Sequence, residues 1–482
     1  MMISGILRRN SARMSSVAAT RSFFTRDDVN PAVLRAKYAV RGELLIRADA
    51  LAAQGRKIIF CNIGNPQSLG QRPLTYVRQL LAACSFPEMA DHFPVDVQER
   101  CREILASTPC NSIGAYSHSQ GLTAIRESVV EFLHRRDGHE AAIDNIFLSD
   151  GASPGIKNVL QLLIADSQDG VLLPTPQYPL YSASVALLGG QAVQYYLDEE
   201  SGWSLDVEEL REQLRSARAQ GTRVRALVVI NPGNPTGACL PVSVMEDVVR
   251  LCEEEKLVLL ADEVYQENIY SDDTKFVSFK KVASDLGASV PLFSFHSVSK
   301  GMLGECGLRG GYTELHNVDS DVHAQLYKMS SVSLCSGLAG QIAVDAMVRP
   351  PVPGNPSFPL YEQEYTAQFE SLQRRAEKLS ARLNAIPGMS SQPVAASMYA
   401  FPSVQLPARA VAAAEAQGKE PDALYCMELL EETGICVVPG SGFGQRDGTF
   451  HFRTTILPPE SDFDEVCEAL GVFHAKFLER YQ

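Results

Sequence analysis

A lysine with unusual neighbours is the first candidate for chemistry in this sequence. Lys300 follows a short apolar run, has Ser297 and Ser299 on its N-terminal side, and precedes Arg309 by nine positions. A lysine amine can bond covalently to a carbonyl compound, and an arginine guanidinium binds phosphate through paired hydrogen bonds. The segment therefore predicts a lysine that meets a carbonyl beside a phosphate. A solvated lysine in a loop is the alternative, which so short a motif leaves open.

Polar residues directly follow five apolar runs of the chain. The five polar segments are DGASPG (150–155), TPQYP (175–179), NPGNPTG (231–237), DEVY (262–265) and SVSK (297–300). Each is ordinary by itself, since Gly, Asn and Pro are common in turns. In a parallel α/β sheet, however, ligands bind outside the carboxyl ends of the strands. Together the segments predict a shared site at one edge of a sheet.

Four of these side chains suit a pyridine ring. Asp262 ends a strand that should be buried, and a buried carboxylate needs a cationic partner, which a protonated pyridine nitrogen provides. Tyr265 and Asn234 can form hydrogen bonds to a ring hydroxyl, and Tyr178 can stack on the ring face. Taken singly, Asp262 could instead cap a helix, and the two tyrosines could be core aromatics.

A helix start and a cation are predicted to hold a phosphate. The residues of that helix start are Gly151, Ala152 and Ser153. Free amides at the start of a helix attract an anion, and Arg309 with the two serines before Lys300 adds further donors, although those serines could be turn residues. A phosphorylated pyridine aldehyde in a Schiff base with Lys300 meets all of these demands. The sequence therefore predicts pyridoxal 5′-phosphate as the cofactor, with Lys300, Asp262 and Tyr265 as catalytic residues.

The elements that position these residues follow from seven apolar runs. The runs are NIFLS (145–149), GVLLP (170–174), VQYYL (193–197), RALVVI (225–230), KLVLLA (256–261), LFSFH (292–296) and GGYTEL (310–315). Amphipathic stretches, such as residues 155–165 and 242–255, separate several of them. Apolar strands alternating with helices form a largely parallel sheet that is covered on both faces. An α/β fold is therefore expected.

Composition divides the chain further. Residues 348–359 contain five prolines in twelve positions, which is typical of a boundary between domains. The predicted parts are a targeting segment (1–26), an N-terminal arm with part of a small domain (27–110), a large cofactor-binding domain (111–349) and a C-terminal small domain (350–482).

Several segments resemble class I aminotransferases of the pyridoxal-phosphate fold type I. They are NPGNPTG (231–237), DEVYQENIY (262–270), SVSKGMLGECGLRGGY (297–312) and GICVVPGSGFGQ (434–445), and the similarity covers nearly the whole chain after about residue 36. The resemblance implies a large domain with a mostly parallel seven-stranded sheet between helices, and a smaller α+β domain.

The resemblance also implies roles for residues outside the strand ends. Arg453, in FHFRTTILPP (450–459), resembles the arginine that binds the substrate α-carboxylate, and Asn234 is assigned to the same substrate. Tyr116 resembles a tyrosine that reaches the phosphate of the neighbouring subunit, which implies a homodimer with shared active sites. The spacing between Lys300 and Arg309 is one residue longer than in aspartate aminotransferases.

The reaction implied by the resemblance is a reversible, ping-pong amino transfer. L-alanine and 2-oxoglutarate would be converted to pyruvate and L-glutamate through the lysine-bound cofactor. A transaminase for another amino acid, or a lyase of the same fold, is the alternative. A regulator that binds the cofactor without catalysis is disfavoured, because no basic helix-turn-helix precedes the domain.

Charge and composition exclude other classes of protein. The 482 residues carry a formal net charge of -14, which argues against a nucleic-acid partner. No apolar run reaches the ~18 residues of a membrane span, so no membrane partner is expected. The 11 cysteines form no CxxC pair, which argues against a zinc site or a disulfide framework and predicts no metal.

The N-terminus has a composition of its own. Residues 1–26 contain five arginines, and the first acidic residue is Asp27. This pattern is typical of a mitochondrial targeting segment, so the mitochondrial matrix is the predicted location. A basic tail without an address is the alternative, and a cytosolic pool remains open because initiation at Met14 would remove half of the signal.

Overall fold

The computed structural model describes residues 25–38 and 42–482. The helices are α1 (Pro31–Arg35), α2 (Glu43–Ala53), α3 (Thr75–Ser85), α4 (Val95–Ala106), α5 (Thr123–Asp137), α6 (Ala152–Leu163), α7 (Leu180–Leu188), α8 (Val207–Ala219), α9 (Val242–Glu255), α10 (Phe279–Leu286), α11 (Ser320–Val332), α12 (Leu338–Val348), α13 (Phe358–Asn384), α14 (Ala408–Ala416), α15 (Pro421–Thr433) and α16 (Phe463–Tyr481).

The strands include one for each of the seven predicted apolar runs, β2 to β8. The strands are β1 (Ile59–Phe60), β2 (Ile146–Ser149), β3 (Asp169–Thr175), β4 (Gln191–Tyr196), β5 (Arg223–Ile230), β6 (Val258–Asp262), β7 (Leu292–Ser297), β8 (Gly311–His316), β9 (Met389–Ser390), β10 (Tyr399–Ala400), β11 (Ser403–Val404), β12 (Ile435–Cys436), β13 (Val438–Pro439) and β14 (Phe452–Thr455).

The central sheet has the order β2-β8-β7-β6-β5-β3-β4. Strands β3 to β7 are parallel to their neighbours within that group. Strand β8 is antiparallel to both β2 and β7, so β2 points in the same direction as the parallel group. The predicted α/β fold with a mostly parallel seven-stranded sheet is confirmed.

Helices cover both faces of this sheet. Along β5, Ala226 and Val228 belong to an apolar cluster with α6 and α7. Leu227 and Val229 belong to a second cluster with α8, α9 and α10. Successive side chains of a strand point to opposite faces, so a strand that is buried on both faces is apolar at each central position. This explains why the runs in the sequence are continuous.

The remaining elements pack around this core in two groups. Helices α3 and α4 share an apolar cluster with α5 and α12. Helix α2 and β1 pack instead with the C-terminal elements, and Ile59 of β1 pairs with Ile435 of β12. The C-terminal residues form short two- and three-stranded sheets beside α13, α15 and α16, which is the expected smaller α+β part. The four-part division of the chain stays a proposal.

Two further observations concern the described residues. Within these ranges no helix has the length and apolarity of a membrane span, and no group of His, Cys, Asp and Glu side chains is arranged to hold a metal ion. The predicted targeting segment lies outside the described residues except for its last two positions.

Candidate active site

A cavity of about 890 Å³ lies at the carboxyl edge of the central sheet. Strands β2, β3, β5, β6 and β7 all end at this edge, so the polar residues that follow them meet there. The predicted residues that line the cavity are Ala152, Ser153, Tyr178, Asn234, Asp262, Tyr265, Ser297, Ser299, Lys300, Arg309 and Arg453. The structure therefore brings together the residues that the sequence had pointed to separately.

The antiparallel strand β8 explains how Arg309 reaches this edge. A strand that runs against its neighbours begins where they end, and Arg309 lies two residues before β8, with a φ of 54°. Its guanidinium donates hydrogen bonds to the carbonyl oxygens of Asp150 (3.0 Å) and Cys306 (3.2 Å) and to Oγ of Ser299 (3.4 Å). These partners hold the cation at the start of α6 without neutralising its charge.

Gly151, the residue before α6, allows this close approach. Its φ of 84° lies in the left-handed region, and a Cβ atom there would lie 2.6 Å from Nη2 of Arg309. The hydroxyl of Ser297 donates to the carbonyl oxygen of Gly310 (3.2 Å) and accepts the N–H of Ser299 (3.1 Å). One corner of the cavity region thus contains Gly151, Arg309 and Ser299. The Ser297 hydroxyl is instead hydrogen-bonded to the backbone of Gly310 and Ser299.

Lys300 extends from the end of β7 towards the N-terminal segment. Its Nζ donates a hydrogen bond of 2.8 Å to the carbonyl oxygen of Gly64 and lies 5.7 Å from the ring centroid of Tyr265. The backbone after the lysine is fixed by Asn268, whose Oδ1 accepts the N–H of Gly301 at 2.9 Å. A single carbonyl partner leaves the amine accessible to a ligand in the cavity.

Asp262 ends β6 as a buried carboxylate that is 5% exposed. Burial raises its pKa to about 6, although hydrogen bonds from the Tyr181 hydroxyl (2.8 Å) and the Val264 N–H (3.4 Å) and the charge of Lys300 act in the opposite direction. No side chain in the described ranges forms an ion pair with it. The carboxylate therefore lacks the cation that a buried charge requires.

Arg453 of β14 connects the C-terminal part of the chain to the sheet edge. It is 1% exposed. Its Nη1 donates to Oδ1 of Asn234 (2.9 Å) and its Nη2 to the carbonyl oxygen of Asn62 (2.6 Å), while its buried Nε has no partner. The amide of Asn234 donates in turn to the hydroxyl of Tyr265 at 3.4 Å. One amide therefore connects the guanidinium to the phenol.

The two remaining predicted tyrosines lie in different environments. Tyr178 lines the cavity, and its hydroxyl is 2.7 Å from that of Tyr38. Tyr116 is 72% exposed and does not line the cavity. The structure of the single chain therefore places Tyr116 outside this cavity.

Some residues of the cavity region were missed by the sequence analysis. They are Tyr38, Asn62, Gly64, Tyr181 and Tyr399. Tyr181 had a weak signal, because it lies in the first turn of α7, three residues after Tyr178. The others come from N- and C-terminal segments that carry no strand-end pattern.

The charge pattern of the cavity is its most informative property. Lys300, Arg309 and Arg453 face it, and in the part of the chain that the structure describes none of them pairs with a carboxylate. Asp262 faces the same space without a cation. A ligand that complements this pattern carries anionic groups opposite the three cations and a cationic group beside Asp262.

Comparison with known proteins agrees with this chemistry. The profile of the family described as "Aminotransferase class I and II" matches residues 84–470. The chain belongs to this aminotransferase family. Enzymes of the family depend on pyridoxal 5′-phosphate.

Two curated relatives of this aminotransferase are similar over nearly their full length. "Probable alanine aminotransferase, mitochondrial" of Dictyostelium discoideum is 50% identical over 481 residues, covering 95% of this chain and 90% of the relative. "Glutamate--glyoxylate aminotransferase 2" of Arabidopsis thaliana is 46% identical, covering 94% of this chain and 96% of the relative. A solved alanine aminotransferase from Pyrococcus furiosus has a TM-score of 0.75 at 24% identity, covering 93% and 100%, which shows a shared fold.

Proposed function

We propose that this aminotransferase moves the amino group of L-alanine to 2-oxoglutarate and so forms pyruvate and L-glutamate. The observation that carries the proposal is the charge pattern of the cavity, with three unpaired cations opposite an unpaired buried carboxylate. The choice of L-alanine is supported by the relative from Dictyostelium discoideum, which is named an alanine aminotransferase.

The residues of the cavity fit pyridoxal 5′-phosphate. The ring nitrogen would supply the cation that Asp262 lacks, and the phosphate would bind Arg309, Ser299 and the start of α6 beside Gly151. Ser297, whose hydroxyl is engaged in the turn, is proposed for the same phosphate. When bound, the cofactor supplies an aldehyde for the amino group and a protonated ring that accepts electrons from the substrate α-carbon.

The residues around the ring have separate tasks in this proposal. Asp262 would keep the ring nitrogen protonated, because a negative charge nearby favours the protonated form. Tyr265 and Asn234 would bind the ring hydroxyl, and Tyr178 would pack on the ring face. Lys300 would hold the cofactor between turnovers, and its Nζ would move the proton from the substrate α-carbon during turnover.

Arg453 is proposed to bind the substrate α-carboxylate. Its Nε is buried without a partner, although a buried polar group normally forms a hydrogen bond. A planar guanidinium binds a carboxylate through two parallel hydrogen bonds. The same group would bind both substrates of a ping-pong reaction, because each carries that carboxylate.

A second candidate function has a different pair of substrates. The relative from Arabidopsis thaliana that is named a glutamate–glyoxylate aminotransferase is nearly as similar as the alanine-named one. Transfer from L-glutamate to glyoxylate uses the same cavity, because both compounds carry the carboxylate that Arg453 would bind.

Half-reactions test the proposal. Purified holoenzyme that receives L-alanine alone should change its cofactor absorbance and release one pyruvate per subunit, and 2-oxoglutarate should then reverse the change. Lys300→Ala is the control and should release no pyruvate. A response to L-glutamate and glyoxylate without one to L-alanine would establish the second candidate. A holoenzyme that responds to none of these compounds would overturn the proposal.

We further propose a homodimer with shared active sites. Tyr116 lies outside the cavity of its own chain, and two other apolar side chains are strongly exposed, Val332 at 82% and Leu334 at 52%. A partner that covered these side chains would remove apolar surface from water, which is favourable in proportion to the area buried. A second copy would cover it and would bring a tyrosine to the phosphate of its neighbour.

The mitochondrial matrix is the proposed location. The relatives from Dictyostelium discoideum and Arabidopsis thaliana include proteins named mitochondrial, while others, such as that of Panicum miliaceum, are not. Residues 1–30 fused to a fluorescent reporter should direct it to mitochondria. The same fusion with Arg8, Arg9 and Arg13 changed to Ala should stay in the cytosol. A cytosolic signal from both fusions would contradict the proposal.

A further inference from the structure

Tyr399 lies in the wall of the cavity but is not among the site residues predicted from the sequence. It belongs to β10, where it is directly opposite Thr455 of β14. Arg453 lies two residues before Thr455. It is therefore on the same face of this sheet as Tyr399 and is its diagonal neighbour. The strand register, rather than a motif, places this phenol beside the guanidinium.

The ring of Tyr399 forms one side of a clamp around Arg453. The guanidinium carbon lies 4.3 Å from the ring centroid of Tyr399 and 4.6 Å from that of Phe443. Aromatic faces attract a cation that lies within about 6 Å of the centroid. Two such rings fix the plane of the guanidinium, and that plane decides whether a carboxylate can form two parallel hydrogen bonds with it.

The hydroxyl of Tyr399 lies near the amine of Lys300. It accepts a hydrogen bond of 3.0 Å from the hydroxyl of Tyr265. A Cβ atom built on Gly64 would collide with the Tyr399 hydroxyl and would lie 3.1 Å from Nζ of Lys300. The phenol oxygen and the amine are therefore on two sides of one small space, which is open only because residue 64 is a glycine.

The charges around this phenol support its involvement. Burial alone would raise the pKa of Tyr399 and the nearby Cys306 thiol acts in the same direction. The charges of Lys300 and Arg453 and the hydrogen bond from Tyr265 outweigh them, so that the pKa is lowered. The surroundings thus favour negative charge on the phenol oxygen, and by reciprocity that oxygen favours positive charge on its neighbours.

We propose that Tyr399 is a positioning residue of this site, whose ring orients Arg453 for the substrate carboxylate and whose hydroxyl stabilises the protonated amine of Lys300. The inference rests on the proposed function, in which that amine carries a proton during turnover. It adds a residue that no sequence motif marks.

Two substitutions separate the two tasks. Tyr399→Phe keeps the ring and removes the hydroxyl, whereas Tyr399→Leu removes both. The matched control is Tyr425→Phe, which removes a similarly buried hydroxyl that contacts His474 in the C-terminal core (3.1 Å), away from the cavity. For each protein we would measure the melting temperature, the cofactor affinity of the apoprotein, the pH titration of bound-cofactor absorbance, and kcat and KM.

The expected results differ between the variants. Tyr399→Phe should lower kcat about tenfold and move the absorbance titration to lower pH by about 0.5 unit, because the protonated Nζ of Lys300, which is bonded to the cofactor in the holoenzyme, loses a stabilising neighbour. Its KM values should stay within about threefold, since Arg453 keeps both rings. Tyr399→Leu should in addition raise KM about tenfold for both L-alanine and 2-oxoglutarate, as expected for a lost cation–π contact in a desolvated site.

Several outcomes would overturn the inference. An unchanged titration and kcat in Tyr399→Phe would remove the hydroxyl role, and unchanged KM values in Tyr399→Leu would remove the clamp. If kcat and cofactor affinity fall only in proportion to the melting temperature, and fall in Tyr425→Phe as well, the role of Tyr399 is structural. Wild-type holoenzyme that ignores L-alanine but binds cofactor would defeat the proposed function instead, and the absorbance titration of Tyr399→Phe would still test the hydroxyl role.

Discussion

The hydroxyl of Tyr181 donates a hydrogen bond of 2.8 Å to Oδ2 of Asp262, between the first turn of α7 and the last residue of β6. Both residues are buried. In the described part of the chain no other side chain donates to this carboxylate. The bond orients the carboxylate towards the cavity and partly offsets the cost of its burial, so Tyr181 prepares the partner of the ring nitrogen.

Replacement of this donor should weaken cofactor binding. Tyr181→Phe should raise the pKa of Asp262 further and reduce the affinity of the apoprotein for pyridoxal 5′-phosphate roughly tenfold, because a hydrogen bond to a charged group contributes about 1.5–3 kcal/mol. An absorbance titration of the apoprotein measures this. Tyr195→Phe is the control, since Tyr195 belongs to the apolar cluster with α8, α9 and α10 and its hydroxyl donates to the carbonyl oxygen of Val228 rather than to Asp262. Equal affinities in both variants would contradict the role of Tyr181.

Neutralising Asp262 should slow turnover but stabilise the apoprotein. Asp262→Asn removes the partner of the ring nitrogen, and turnover should fall at least about 100-fold, since loss of a buried charge pair costs about 3–5 kcal/mol. The apoprotein carries this buried charge unpaired, so at pH 8 its unfolding free energy should increase by up to about 3 kcal/mol on substitution. Turnover assays and urea denaturation of both apoproteins measure these effects.

The stability difference between the wild-type and Asp262→Asn apoproteins should depend on pH, with a sign set by the pKa of Asp262. The folded pKa of Asp262 is raised to about 6, above its ordinary value, so the folded state binds the proton more tightly than the unfolded state. The wild-type apoprotein should therefore lose stability as the pH rises from about 4 to 6, relative to Asp262→Asn. The difference should vanish near pH 4. Asp285→Asn, at an exposed ion pair with Lys281, is the control. Hydrogen bonds from His139 and Lys281 lower the pKa of Asp285, so any pH trend there should have the opposite sign. A pH-independent difference would show that charge is not its cause.

Substitution of Arg453 tests the carboxylate site. Arg453→Lys keeps the charge but loses the planar fork, so KM should rise about 10- to 100-fold for both substrates, with a smaller effect on cofactor affinity. Steady-state kinetics and a cofactor titration separate the two effects. Arg446→Lys is the matched control, because its guanidinium lies over the ring of Tyr196 on the surface. A larger loss of cofactor affinity than of substrate affinity would place Arg453 at the phosphate instead.

Hybrid dimers test whether Tyr116 acts in the site of its partner. Tyr116→Ala alone should weaken cofactor binding about tenfold or more, and Lys300→Ala alone should abolish turnover. In a hybrid of the two variants, one site has its own Lys300 and the intact Tyr116 of the other chain. The purified hybrid should therefore recover wild-type cofactor affinity and rate at one site of two. A hybrid that binds cofactor no better than Tyr116→Ala would show that no site is shared.

The strand ends were predictable because local physics fixes them. A strand buried on both faces must be apolar along its length, and its carboxyl end must return to polar residues at the rim. Such transitions in the sequence contain Asp262, Asn234 and Lys300. The prediction of seven strands therefore also located these residues of the cavity. The resemblance to a family then added Arg453 and Tyr116, which no periodicity marks.

By itself the sequence determined the α/β class, the order of strands and helices along the chain, and the set of polar residues at the sheet edge. Only the tertiary structure decided which residues from distant segments contact these polar residues. Gly64, Tyr181 and Tyr399 are separated by more than 300 residues at their extremes, yet they contact Lys300, Asp262 and Arg453 respectively. Such contacts depend on strand register and on the packing of distant segments, which involve long-range interactions that no local pattern of residues encodes. Burial likewise raised the pKa of Asp262, because the pKa of a carboxylate depends on the solvent and charges around it.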